Sequence, residues 1–221
     1  TAAFRKDLFI KLGKFDPNVL AEDTELTFKL YLNGYKVVYT NRLEALEEAP
    51  EDYLVRAKQV RRWSRGHNQV MFKYLIPFIK SNRIRLITKL DGILLLLIYT
   101  IPFLTLLGYL DSLILFFLGE MSIVNNYLFL LAVYGYNTFG NFAPFYQIGT
   151  AAFLDGRIQS IRILPLFITV FLFNIYYTSL GFIDAIIDLI TKRTVKWEKT
   201  ERFYDKSLNI NNENNSEMKK M

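Results

Sequence analysis

Apolar residues follow two different rhythms along the chain. Up to about residue 82 they recur at helical spacing among polar neighbours, whereas between about 86 and 190 they run in long blocks. In the first part, Phe4, Leu8, Phe9 and Leu12 share one face and predict a helix over 4–12, with Gly13 placed to close it. Phe15-Asp16-Pro17-Asn18 predicts a turn. A second helix is expected over 24–33, with Asp23 as its N-cap, Leu26 and Leu30 on its apolar stripe and Asn33-Gly34 as a left-handed stop. Residues 35–40 read as a short strand, and 56–66 as a basic amphipathic helix.

The later blocks cover 90–118, 124–153 and 164–190. About 20 apolar residues suffice to cross a bilayer, so each block is long enough. Pro102 and Pro144 are expected to kink two of them. Lys80, Arg83, Arg85 and Lys89 precede the first block, and Lys192, Arg193, Lys196, Lys199 and Arg202 follow the last, so both flanks read as cytoplasmic. Three single crossings cannot begin and end on one side. Three or four spans are therefore expected, with a bend at Leu110-Asp111 or an interfacial segment over 154–163, which carries Asp155, Arg157 and Arg162. The asparagine-rich tail from Lys206 has no apolar periodicity and is expected to be disordered.

Composition narrows the class. A hydrophobic share of 52% exceeds that of ordinary soluble domains, so part of the surface must face lipid. The absence of cysteine removes disulfides and thiolate metal sites. The net charge of +6 does not call for nucleic acid, because the cations gather beside the apolar blocks, where membrane orientation accounts for them. The opening Thr1-Ala2-Ala3-Phe4 has none of the features of a signal peptide and reads like the middle of a domain.

Candidate chemistry centres on the basic helix. Gln59, Arg62, Trp63 and Gly66 fall at i, i+3, i+4 and i+7, setting an amide, a guanidinium and an indole on one face. A guanidinium grips phosphate oxygens, an indole offers a plane to a sugar ring, and an amide donates and accepts. Arg56, Lys58, Arg61, Arg62 and Arg65 crowd this stretch without one acid, which suits a diphosphate or an anionic membrane surface equally. The same helix therefore reads either as a substrate-binding face or as a lipid anchor with Trp63 at the interface. Asp23 reads as a helix cap, and Glu22 and Glu25 complement the helix dipole. His67, the single histidine, lacks the companions a metal site needs. Glu44, Glu47 and Glu48 form an acidic run before Pro50 and read as a solvated loop.

Gln59-x-x-Arg62-Trp63 resembles the Q-x-x-R-W motif of membrane-embedded family 2 glycosyltransferases, the group that includes cellulose, chitin, hyaluronan and poly-N-acetylglucosamine synthases. Ala21-Glu22-Asp23 resembles their T-E-D motif, with alanine in the first position, and the order and spacing of the two motifs fit. Residues 26–39, Glu48-Ala49-Pro50 and the ending Trp197-Glu198-Lys199-Thr200-Glu201-Arg202 are also similar, so the resemblance runs nearly to the polar tail.

The resemblance implies an α/β GT-A-like catalytic domain joined to a transmembrane helix bundle. Residues 1–82 would be the C-terminal part of the catalytic domain with its interfacial helix, 83–190 the membrane region, and 191–221 a basic cytoplasmic segment and tail. Asp23 aligns with the catalytic base, while Glu22, Gln59, Arg62 and Trp63 align with substrate contacts. The reaction implied is inverting transfer from a nucleotide-sugar donor to a growing glycan at the cytoplasmic face of the cell membrane, with an accessory export subunit as a further partner. A poly-N-acetylglucosamine-type product is the preferred subtype. Tyr134, Tyr136, Asn137, Thr138, Asn141 and Gln147 would line a glycan path or bond between helices. A divalent metal, magnesium or manganese, is implied for the full-length enzyme, but the D-x-D segment and donor aspartates lie upstream of this region. No F-x-V-T-x-K gating segment of bacterial cellulose synthase follows Trp63. The chain is thus expected to be a fragment that does not turn over alone. The alternative is a non-enzymatic membrane subunit whose basic helix docks to lipid or a partner.

Overall fold

The structure is a computed structural model that describes residues 2–40, 49–119 and 127–193; within 127–141 the one side chain it describes is that of Leu131. Seven α-helices appear among these residues: α1 Lys6–Lys11, α2 Glu22–Leu32, α3 Tyr53–Lys80, α4 Leu86–Leu97, α5 Ile101–Leu118, α6 Tyr127–Leu154 and α7 Phe167–Thr191, with a 3-10 segment over Ile158–Leu166. The spine is α3. It packs most extensively along α7 and also against α2 and α4, while α5 lies on α7 and α6 on the 3-10 segment.

Sequence explains why α3 runs far beyond 56–66. Asp52 caps its start, its carboxylate accepting from the Leu54 and Val55 N–H groups at 2.6 and 3.1 Å. Val60, Ser64, Val70, Met71, Tyr74 and Phe78 then continue one buried stripe. Phe78 stands edge-on to Phe28 of α2, with ring centroids 4.9 Å apart, and Phe182 of α7 stacks on Phe103 of α5 at 4.6 Å. The small residues set the spacing. A Cβ at Gly181 would meet the Arg61 carbonyl and lie 2.7 Å from Ser64 Cβ, so α7 comes closer to α3 than any larger residue allows. The Ser64 hydroxyl uses that proximity to donate to the Thr178 carbonyl at 2.6 Å.

Several expectations are revised. Helix α2 begins one residue earlier than its predicted cap, with Ala21 at the cap and Asp23 inside the first turn, where its carboxylate accepts from the Thr24 N–H at 2.7 Å. Residues 35–40 form no strand, and none occurs among the described residues. An extended segment needs a neighbouring strand for its backbone groups, and Val38 and Tyr39 stand largely exposed instead. The first apolar block is not one kinked helix but two, broken at 98–100. Pro102 opens α5, where its missing N–H costs nothing, and Leu110-Asp111 lies inside that helix unbroken. The 154–163 segment is not an amphipathic α-helix. It turns at Gly156, in the left-handed region at φ 68°, into the 3-10 segment. Gly34, at φ 80°, ends α2 as expected. The 44–48 acidic run, the 197–202 ending, the polar tail and the side chains of Tyr134, Tyr136, Asn137, Thr138 and Asn141 lie outside the described residues, whereas Gln147 is exposed on α6.

Two helical stretches, Ile101–Leu118 and Ile158–Thr191, are long and apolar enough to cross a membrane. No residue of α5 is buried, and Leu113, Ile114, Phe116, Phe117 and Leu118 all stand exposed.

The α2–α3 contact is fastened by a buried carboxylate that the dipole reading undervalued. Glu25 has no exposed surface and receives Lys73 at 2.7 Å, the Tyr74 hydroxyl at 3.0 Å, the Asp16 N–H at 3.2 Å and, at 3.3 Å, Lys29. Burial alone would raise its pKa, but the bonds from Lys73 and Asp16 win and hold it below its ordinary 4.5. Burial and the Glu25 charge push the Tyr74 phenol up to about 12. Lys73, despite a burial penalty, is held above its ordinary 10.5 by Asp16 and Glu25. A lowered carboxyl stabilises the fold above its unfolded pKa, and a raised ammonium does so below its own. The clamp is therefore complete between about 4.5 and 10.5, and is lost as pH falls through the lowered Glu25 pKa. Replacing Lys73 by Met should cost about 1–3 kcal/mol, a range discounted for the half-exposed ammonium. Thermal unfolding of the detergent-solubilised full-length protein should show this loss at pH 7 and a smaller one near pH 3.

Candidate active site

The acidic motif and the basic helix meet because α3 has no side chain where they touch. A Cβ on Gly66 would sit 2.8 Å from the Ala21 nitrogen and 2.9 Å from Leu20 Cβ, so the start of α2 rests directly on α3. Leu20 and Ala21 are buried in this contact. One residue along, the Thr24 hydroxyl lies 3.3 Å from His67 Nδ1, and which partner donates depends on the imidazole tautomer. Asp23 therefore leaves α2 beside the α3 face that bears Trp63, Gly66 and His67, since positions four apart on a helix are neighbours. Its carboxylate is exposed and its charge reaches both His67 and Tyr99.

Tyr99 closes the site from the break between α4 and α5. Its ring stacks on His67 with centroids 4.4 Å apart and planes 15° from parallel. The break is held by Asn68, which is fully buried. The Asn68 amide donates to the Ser64 carbonyl at 2.8 Å and to the Tyr99 carbonyl at 3.4 Å, and accepts from the Thr100 hydroxyl at 2.9 Å. On the other side stands Arg56. Its guanidinium lies 5.4 Å from the Trp63 ring centroid, donates to Gln59 Oε1 at 2.8 Å, and exerts its charge on the Tyr99 phenol. Trp63 is 36% exposed, with the Arg56 guanidinium over its ring.

Of the residues singled out in the sequence, Asp23 lies on the side of His67 and Tyr99, while Gln59 and Trp63 both meet Arg56. Glu22 is half-buried in the first turn of α2, and Arg62 is half-buried on α3. Sequence reasoning missed Tyr99, counted Arg56 only among the general positive charge of the helix, and considered His67 only as a metal ligand. The one signal available was that His67 follows Trp63 by four residues and so had to share its face. The basic stretch is also less free than it reads. Arg61 binds Asp184 in a two-bond fork at 2.5 and 2.8 Å, and Arg65 binds Asp188 at 2.6 Å through both arms. The acids missing from the local sequence come from α7. Both arginines are correspondingly held above their ordinary pKa by these bonds.

The implied divalent metal does not fit here. Among the described residues no three His, Cys, Asp or Glu side chains converge, and the His67 Nδ1 is already engaged by Thr24. The chemistry of this surface is that of an exposed carboxylate, a stacked aromatic wall and a guanidinium.

Comparison with known proteins agrees with the two motifs. Residues 1–146 match the glycosyl transferase family group 2, and the chain belongs to that family. It is 40% identical over 88 residues to the Bacillus subtilis (strain 168) protein named Probable glycosyltransferase YdaM, an alignment covering 40% of this chain and 21% of that protein. It is 28% identical over 80 residues to the Poly-beta-1,6-N-acetyl-D-glucosamine synthase of Staphylococcus aureus (strain COL), covering 36% of this chain and 19% of the synthase. The chain thus aligns with about a fifth of the length of these curated relatives. No solved structure matches it.

Burial holds His67 below its ordinary pKa of 6.5, with the Asp23 charge opposing. As the single histidine it gives an isolated NMR signal. Its titration midpoint should fall below 6.5, and Asp23→Asn, by removing the opposing negative charge, should lower it further.

Proposed function

We propose that this chain supplies the acceptor side of an inverting, processive glycosyltransferase, which moves a sugar from a nucleotide-sugar donor onto a growing glycan at the cytoplasmic face of a membrane. The observation that carries the reading is the docking of Ala21-Glu22-Asp23 on Gly66, which gathers an exposed carboxylate and a half-open indole around one aromatic wall. Family membership supports it.

In this reading the Asp23 carboxylate takes the proton of the acceptor hydroxyl while that oxygen attacks the anomeric carbon. The new carbon–oxygen bond forms on the face opposite the leaving group, and the old bond breaks with its electron pair passing to the nucleoside diphosphate. Trp63 carries the acceptor ring, held flat by Arg56, and Gln59 and Glu22 contact its hydroxyls. Arg62 faces the departing diphosphate charge. A divalent ion, were the whole protein to bind one, would have to take its ligands from outside the described residues. The exposed apolar helices support insertion as a multi-pass protein, 83–190 forming the membrane region beside a GT-A-like domain that ends near residue 82. The relative named for poly-N-acetylglucosamine synthesis favours a hexosamine polymer, exported with or without an accessory subunit. The lipid-docking alternative loses ground because Arg61 and Arg65 are spent on Asp184 and Asp188.

Membranes containing the full-length protein, offered a panel of radiolabelled nucleotide sugars, test this directly. Asp23→Asn should lower transfer by about 10²–10⁴-fold, the share of a positioned base. Trp63→Ala should chiefly raise the KM for acceptor and shorten the product, with both variants inserted normally. Unchanged transfer in both would overturn the assignment.

A further inference from the structure

One polar chain joins Asp188 of α7 to the backbone just before the acidic motif. Asp188 of α7 is buried, and its carboxylate accepts both arms of Arg65 at 2.6 Å and the Gln69 amide nitrogen at 2.9 Å. The opposite end of the same amide, Gln69 Oε1, accepts the backbone N–H of Leu20 at 3.2 Å, three residues before Asp23. The amide cannot be reversed. A flip would set its oxygen against the Asp188 carboxylate and its nitrogen against the Leu20 N–H, exchanging two attractions for two repulsions. Beside it, the Leu20-Ala21 backbone rests on Gly66, where an added Cβ would lie 2.8 Å from the Ala21 nitrogen.

We propose that Asp188 and Gln69 are positioning residues for Asp23, setting the place of the catalytic carboxylate by the seat of α7 on α3. The inference rests on the reading of Asp23 as the base. Arg65 fixes the Asp188 carboxylate, Asp188 fixes the donor end of Gln69, and Gln69 fixes the backbone from which α2 springs. Because α7 belongs to the longer of the two stretches able to cross a membrane, a shift of that helix reaches the base through three hydrogen-bonded groups. A carboxylate displaced by a fraction of an ångström loses proton-transfer efficiency while the donor site is untouched.

The test uses the full-length enzyme in membranes, with steady-state kinetics per folded molecule. Gln69→Leu should lower kcat about tenfold or more while leaving the KM for nucleotide sugar within about twofold, the signature of a group acting on the transition state only. Gln69→Glu should fail similarly, since it sets a second carboxylate against Asp188. Combining it with Asp188→Asn removes the like-charge pair and sets a donor opposite residue 69 at the loss of one Arg65 bond, so the double variant should recover part of the lost kcat. A purely structural role would instead lower the yield of folded protein with kcat per molecule unchanged, and that result overturns the proposal. So does full activity in Gln69→Leu when Asp23→Asn is inactive, which leaves the catalytic reading standing. Full activity in Asp23→Asn removes the base assignment itself.

Discussion

The arrangement depends on how closely α3 lets its neighbours approach. On one side Gly66 admits the backbone of Leu20 and Ala21; on the other, Gly181 of α7 fits against the Arg61 carbonyl and Ser64. Side chains at either place would hold the elements apart by the width of a methyl group or more, and short polar contacts would be lost with the fit. The Ser64–Thr178, Gln69–Leu20 and Thr24–His67 contacts all lie within a few residues of these two glycines. Close packing here serves to bring hydrogen-bonding groups within reach, and hydrophobic burial alone would not specify it.

Charge is divided along the same helix. Arg61 and Arg65 face α7 and meet Asp184 and Asp188, while Arg56 turns to Trp63 and Gln59. A sequence of five cations in ten residues thus separates by angle into structural forks and a site-facing group. The forks are bidentate and partly sheltered, which makes them more orienting than ordinary surface pairs. Lys73 and Glu25 do comparable work one side further round, tying α2 down just beyond its first turn.

What could be read from the sequence follows from the range of each interaction. Helices α1, α2 and the first half of α3, the left-handed stop at Gly34 and the apolar blocks depend on neighbours within a few residues, and periodicity exposes them. Gln59, Arg62 and Trp63 were legible as one face for the same reason. Asp184 and Asp188 were not tied to Arg61 and Arg65 because 123 positions separate each pair. Tyr99 was hidden in an apolar block, since nothing local announces that the block breaks there; the break is stabilised by Asn68, some thirty residues away. The strand expected at 35–40 failed for the converse reason, β-branched and aromatic residues being a preference that only a partner strand can realise.

The Asn68 amide has a reach larger than its size. By taking up the loose backbone at Tyr99 and the hydroxyl of Thr100, it lets one continuous greasy sequence change heading, so that α4 follows α3 while α5 follows α7. The direction in which the first hydrophobic helix departs is thereby decided by a carboxamide on a different helix, one turn beyond the tryptophan. Orientation of the apolar bundle and assembly of the aromatic wall are two readings of a single buried knot.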